Sequence, residues 1–295
     1  MSEMSELTAS GSLLAVLASA GWASMDAARK ALSIRFELLS LSAALSTGQS
    51  LFLILVWWSL DAPLPTSNYL GYGIAAIGLT VAALFTFLAA LKAAPLSQSA
   101  PLLALTPAIC ALMEWGVDGR ALSLLQGLGS MMGILAALWL TLERGWREAR
   151  GTAYMLLVAL IFSGCIVLDR QALKFAPVSF HAASQACGAA LVFNLLWFKK
   201  HRSTQAVKSV IETNQVPIKS LFLLLGTIIL FVFVALLQLK VITQVPVAPY
   251  EALKRGVGVA GAVFFGRFLF GEQLNRSRIL AAFCLVLSAI SLSDP

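Results

Sequence analysis

Glu251, Lys254 and Arg255 stand three and four residues apart in an apolar stretch from about Val245 to Phe270, with Tyr250 beside them. On a helix this spacing puts all three charges on one face, where acid and bases can pair. An ionisable group in a membrane segment is costly, so such a face has two readings. It lines a polar cavity, with the cations drawing an anionic group and Glu251 exchanging a proton or cation, or it is a self-neutralised cluster that fixes helix packing. Asp26 repeats the pattern, with Arg29 and Lys30 three and four residues on and Trp22 one turn before. These charges fall toward a helix end, where a snorkelling interfacial pair competes with a binding role. Trp22 either stacks on a substrate ring or anchors packing. Asp26 joins Glu251 as a carboxylate placed for proton coupling. Asp169, Arg170 and Lys174 sit at a similar end of a later apolar run.

Prolines mark two further places. Pro95, Pro101 and Pro107 fall in one apolar segment, Pro246 and Pro249 in another, and each removes a backbone donor and can kink or break a helix. A break there exposes carbonyls beside Ser97, Gln98 and Gln244, giving a cavity neutral hydrogen-bonding groups. Broken helices at matching places in two halves of a chain point to a transport site, against the plainer reading of ordinary membrane-helix proline.

The elements that must position these residues follow from the spacing of charge. Of 295 residues 59% are hydrophobic and only 12% charged, against roughly 25% in a soluble domain. A bilayer core about 30 Å thick takes about 20 helical residues to cross. Stretches free of Asp, Glu, Lys and Arg run over 7–25, 38–60, 62–91, 93–113, 121–142, 151–168, 175–198 and 220–239. A shorter one, 279–293, and the charge-bearing 245–270 complete ten expected spans. LFLILVWWSL is apolar on every side, which excludes the alternating strands of a β-barrel. The first run lacks the basic leading end of a secretory signal, so it is expected to remain as a span.

The net charge of +7 lies in short connections such as ERGWREAR and FKKHRSTQAVKSV. One alternate set of connections holds Arg29, Lys30, Arg35, Lys92, Arg144, Arg147, Arg150, Lys199, Lys200, Arg202, Lys208, Lys219, Arg276 and Arg278, the opposite set only Arg120, Arg170, Lys174 and Lys240. That bias sets orientation and places both termini outside. Cys110, Cys165, Cys187 and Cys284 lie singly in apolar segments and read as small core residues.

The chain also repeats itself. LKAAPLSQSAPLLAL (91–105) lies without gaps over LKVITQVPVAPYEAL (239–253), sharing Leu-Lys, Ala-Pro and Ala-Leu, and GWASMDAARKAL (21–32) lies over FSGCIVLDRQAL (162–173). Two halves, 1–148 and 149–295, follow, each of five spans; an odd number inverts the second half in the membrane. These halves, the Ala-Pro-x-x-Ala-Leu stretches and ALKRGVGVAGAVFFGRFLFGEQL (252–274) resemble the EamA-like transporters of the drug/metabolite transporter superfamily, over essentially the whole chain. The resemblance implies a small-molecule exporter or permease of a bacterial inner membrane, with no cofactor. The first half departs from the pattern, since EWGVDGRAL (114–122) lacks an FGE.

The fold expected is an all-α membrane protein of ten transmembrane helices in two inverted five-helix repeats. Its expected function is secondary transport of a small metabolite by alternating access, with a lean to amino acids or other small zwitterions, drugs being the other substrate class. No phosphate loop of the Walker type is present, and Gly256, Gly258 and Gly261 match a dinucleotide spacing with no strand before them. His181 and His201 are the only imidazoles, and no clustered His, Cys and carboxylate set suggests a metal. No enzyme activity is expected. Its partners are a small-molecule substrate, protons as candidate coupling ions and the lipid bilayer, but not nucleic acid. A membrane-embedded sensor or assembly protein is the alternative, with a membrane enzyme after it; a sensor would normally bring a soluble domain, and the longest connection, about 199–217, is too short for one.

Overall fold

A computed structural model of the protein describes residues 2–93, 100–119, 149–201, 218–245 and 247–271, with single positions and short pieces between 124 and 135 and between 280 and 287. Among them are eight α-helices, one 3-10 segment and no strand. They are α1 (Ser2–Arg35), α2 (Leu38–Ser59), α3 (Tyr69–Ala93), the 3-10 segment Ala100–Leu105, α4 (Thr106–Asp118), α5 (Ala149–Ala172), α6 (Val178–His201), α7 (Ile218–Gln244) and α8 (Val247–Phe270). Most of the fifth and tenth expected spans, 121–142 and 279–293, lies outside the described residues.

Segments over Leu38–Ser59, Tyr69–Ala90, Ala153–Ala172 and Ile218–Gln244 are long and apolar enough to cross a membrane. At 1.5 Å per residue the 27 residues of α7 reach about 40 Å, more than a hydrocarbon core. Their outer faces carry Leu51, Leu55, Ile74, Phe222, Ile229 and Phe233, all exposed, while Ser42, Ser46, Gln49 and Ser50 of α2 are buried. Apolar residues outside and polar ones inside suit a helix surrounded by lipid.

The most extensive packing joins the first half of the chain to the second: α3 on α5, α2 on α6, α1 on α8 and on α7. Small residues permit it. A Cβ at Gly188 of α6 would strike Ile77 of α3, one at Gly21 of α1 would strike Val234 of α7, and one at Gly261 of α8 would come 2.8 Å from Ala23 of α1.

Two expectations are corrected here. Charge spacing ends the first span near Met25 and puts Asp26 and Arg29 toward a helix end; α1 continues to Arg35, so both lie well inside it. The helix can run on because Arg29 is buried in the protein interior and does not face lipid. Nor is the later proline segment broken in mid-helix: α7 ends at Gln244, α8 begins at Val247, and Pro249 falls in its first turn, where a missing N–H costs nothing. The earlier segment does break. Pro101 lies in the 3-10 segment and Pro107 at the start of α4, which closes on left-handed Gly119 (φ 69°) with its N–H bonded to the Trp115 carbonyl.

Candidate functional site

A chamber of about 160 Å³ lies among α1, α2, α3, α5, α6, α7 and α8. At roughly 10–15 Å³ per water by this measure it holds on the order of ten waters, or a metabolite of about amino-acid size.

One wall is built by α8 and α1. The spacing read from sequence turns Glu251, Lys254 and Arg255 to one side, so that the Glu251 carboxylate pairs with Lys254 and lies 3.2 Å from Arg255 Nη2. Glu251 is 1% exposed, and a carboxylate so deep is tolerable only with such partners. Lys254 Nζ also donates to Gln238 Oε1 at 3.0 Å and sits 5.5 Å from the Trp22 ring and 5.6 Å from that of Tyr250. Arg29 Cζ stands 5.7 Å from the Trp22 ring and 5.9 Å from Phe231, and Arg255 Cζ 5.6 Å from Phe162. Aromatic faces thus offset part of the cost of burying three cations. Asp26 Oδ1 is 3.9 Å from Arg29 Nη1, a loose pair.

Two donors on this wall are unspent. Arg29 Nε and Arg255 Nε are buried and have no hydrogen-bond partner among the described residues. A buried donor without an acceptor costs about 1–3 kcal/mol, so two beside one chamber are a place for an acceptor-rich ligand group.

The opposite wall is acidic and amide-rich. Asp169 of α5 faces His181 Nε2 at 3.2 Å and accepts the Gln185 amide, while the Thr80 hydroxyl donates to Gln185 Oε1. Among its described lining residues the chamber therefore presents Asp26, Asp169 and Glu251 against Arg29, Lys254 and Arg255.

Of the residues singled out from sequence, Trp22, Asp26, Glu251, Lys254 and Arg255 line this chamber together. Tyr250 is buried behind them, its hydroxyl donating to Gln238 Oε1 at 3.4 Å. Gln244 is not on the chamber: as the last residue of α7 it is exposed, because the proline turn follows it and frees no mid-helix carbonyls there. Ser97 and Gln98 lie outside the described residues. Sequence reasoning gave no site role to Gln49, Thr80, Gln185 and Gln238, set Asp169 aside as a helix-end charge, and took His181 only as an absent metal ligand. The neutral residues interrupt no apolar run; the one available signal was their buried-polar character in otherwise lipid-like helices.

The model of the EamA-like transporter family matches residues 9–142. A crystal structure of another protein aligns with 97% of this chain and 97% of its own at a TM-score of 0.69 and 16% identity, a likeness of fold. No curated protein matches the chain. Together with the apolar helices above, this match supports an integral, multi-pass membrane protein.

Proposed function

We propose that this chain, EamA-like through residues 9–142 and thereby of the drug/metabolite transporter superfamily, is a secondary transporter for a small metabolite carrying both charges. The observation that carries this reading is the chamber's mixed lining: buried, unpartnered donors of Arg29 and Arg255 on one side and Asp169 with Gln185 on the other. An anionic group docks against the donors, and a cationic or donor group against Asp169 or Asp26. Aromatic rings around the cations give an apolar body somewhere to lie. Two repeats, 1–148 and 149–295, expose the chamber alternately to the two sides of a bacterial inner membrane, with export as the working direction. Of the carboxylates considered for proton coupling, Glu251 is held by two cations, so Asp26, only loosely paired, is the better exchanger.

The test is reconstitution into liposomes and a screen of labelled amino acids, amines and organic anions with and without a pH gradient. Saturable flux of an amino acid or another small zwitterion, reduced at least about tenfold by Arg255→Met, is expected. Flux no greater than in protein-free liposomes for every class would overturn the carrier reading.

A further inference from the structure

We propose that Asp169 and His181 form a proton-binding site in the chamber wall, separate from the charge cluster on α8, with Tyr69 and Ser184 as its hydroxyl relay. His181 is fully buried and both its ring nitrogens are engaged. The Thr80 hydroxyl donates to Gln185 Oε1 and so turns the Gln185 amide nitrogen toward Asp169 Oδ1. That nitrogen lies 3.1 Å from His181 Nε2 as well, and two donors converge on one carboxylate oxygen. Nε2 therefore keeps its proton, and the other nitrogen, Nδ1, is the one placed to accept a second.

Nδ1 lies 2.9 Å from Tyr69 Oη, which lies 2.5 Å from Ser184 Oγ, which lies 2.9 Å from the carbonyl oxygen of His181 itself. This chain has a donor arrangement for each of two protonation states. With neutral His181, Ser184 donates to Tyr69 and Tyr69 donates to Nδ1. With imidazolium, Nδ1–H donates to Tyr69, Tyr69 donates to Ser184, and Ser184 donates to the His181 carbonyl. One relay of three proton transfers interconverts them. A hydronium gives its proton to half-buried Ser184, whose own proton passes to Tyr69, whose own passes to Nδ1. Water is left behind, and release runs the same steps backward with nothing oxidised or reduced. Asp169 supplies the counter-charge that a buried imidazolium needs. Beside the pair, α3 brings Tyr69 and Thr80 and α6 Ser184 and Gln185; the chamber that Asp169 lines also holds Cys165 of α5, Gln49 of α2 and Gln238 of α7, and its other charged groups are Asp26 and Arg29 of α1 and Glu251, Lys254 and Arg255 of α8. An imidazole present only for packing would need partners for one state.

The experiment follows the imidazole nitrogens of the full chain, labelled with ¹⁵N-histidine in lipid nanodiscs, over about pH 4–9. The chain has 2 histidines, and His201, at the far end of α6 beside the Trp197 carbonyl, is the internal reference for an intact fold. His181 is expected as the Nε2–H tautomer at high pH and as imidazolium at low pH, reversibly. Asp169→Asn should weaken its proton affinity at least about tenfold, and Tyr69→Phe about threefold, with the His201 signal unmoved. A His181 that keeps one protonation state throughout overturns the site, as does Asp169→Asn leaving the midpoint within about twofold. Should Asp169→Asn alter the His201 signal, Tyr69→Phe decides alone, and an unmoved midpoint there removes the relay and the proposal with it. The readout needs no substrate, so its failure and that of the transport reading are separate results.

Discussion

Arg170 Nη1 of α5 donates to Glu114 Oε1 of α4 at 2.6 Å, while the same carboxylate accepts the Val247 and Ala248 backbone amides of α8, each at 3.2 Å. One side chain thus joins three helices and satisfies two amides that open α8, where a negative group is favoured. The first turn it fixes leads directly into Tyr250 and Glu251, so the charge cluster is oriented from a residue outside the chamber.

Glu114→Gln keeps one acceptor oxygen but removes the charge facing Arg170. Thermal unfolding of the purified protein in nanodiscs is expected to show a loss of about 1–3 kcal/mol. A variant as stable as the parent would mean that the tie is dispensable.

Trp22→Phe removes the indole N–H and keeps an aromatic face for Lys254 and Arg29. Because both cations keep a ring to lie against, the melting temperature should change little. In liposomes KM for the transported compound should rise about two- to tenfold, the worth of one neutral hydrogen bond. Equal KM values would exclude Trp22 as a ligand donor.

Gly188 and Gly48 give a contrasting pair. A Cβ at Gly188 meets Ile77 Cγ2, a branch fixed near the α3 backbone, whereas one at Gly48 meets the terminal Cδ1 of Ile228, which can swing away. Gly188→Ala should cost about 1–3 kcal/mol and Gly48→Ala less than about 1 kcal/mol in thermal unfolding. The reverse order would contradict the α3–α6 contact as described.

Glu37, just ahead of α2, titrates below the ordinary glutamate range because Lys200 hydrogen-bonds to its carboxylate, with Ser40 adding a second donor. A depressed folded-state value contributes stability above the unfolded pKa that is lost as pH falls through the folded one. Glu37→Gln should therefore lower stability slightly at neutral pH, by less than about 1 kcal/mol since both partners are solvated, and the difference from the parent should shrink in acid and in high salt. A difference that grows on acidification would reverse the sign of the argument.

Reporter fusions at the two termini test orientation. The excess of Lys and Arg around 144–150 and 199–208 predicts both termini on the non-cytoplasmic side. A cytoplasmic signal from either reporter would overturn it.

What could be read from sequence was what leaves a local mark. The Glu251, Lys254 and Arg255 face is visible because its spacing matches the helical period, and the apolar runs are visible because charge is excluded from them. Asp26 was visible for the same reason but misplaced relative to its helix, since a charge is taken to end a span and Arg29 does not. The opposite wall left no such mark. Gln49, Thr80, Gln185 and Gln238 are neutral, and Asp169, near the end of α5, meets His181, near the start of α6, across the turn between the two helices, a spacing that no helical period marks. Gln244 was drawn in by its proline neighbours, although a proline in a first turn breaks nothing.

The chamber's three carboxylates and three basic groups cancel among the described lining residues. Moving an unbalanced charge through a membrane potential of 100 mV takes about 2.3 kcal/mol. On the proposed cycle, an empty chamber turning from one side to the other does almost no electrical work, and neither does one holding a zwitterion. Voltage then acts only through a proton riding on Asp26 or His181, so any current the protein generates counts protons and not substrate.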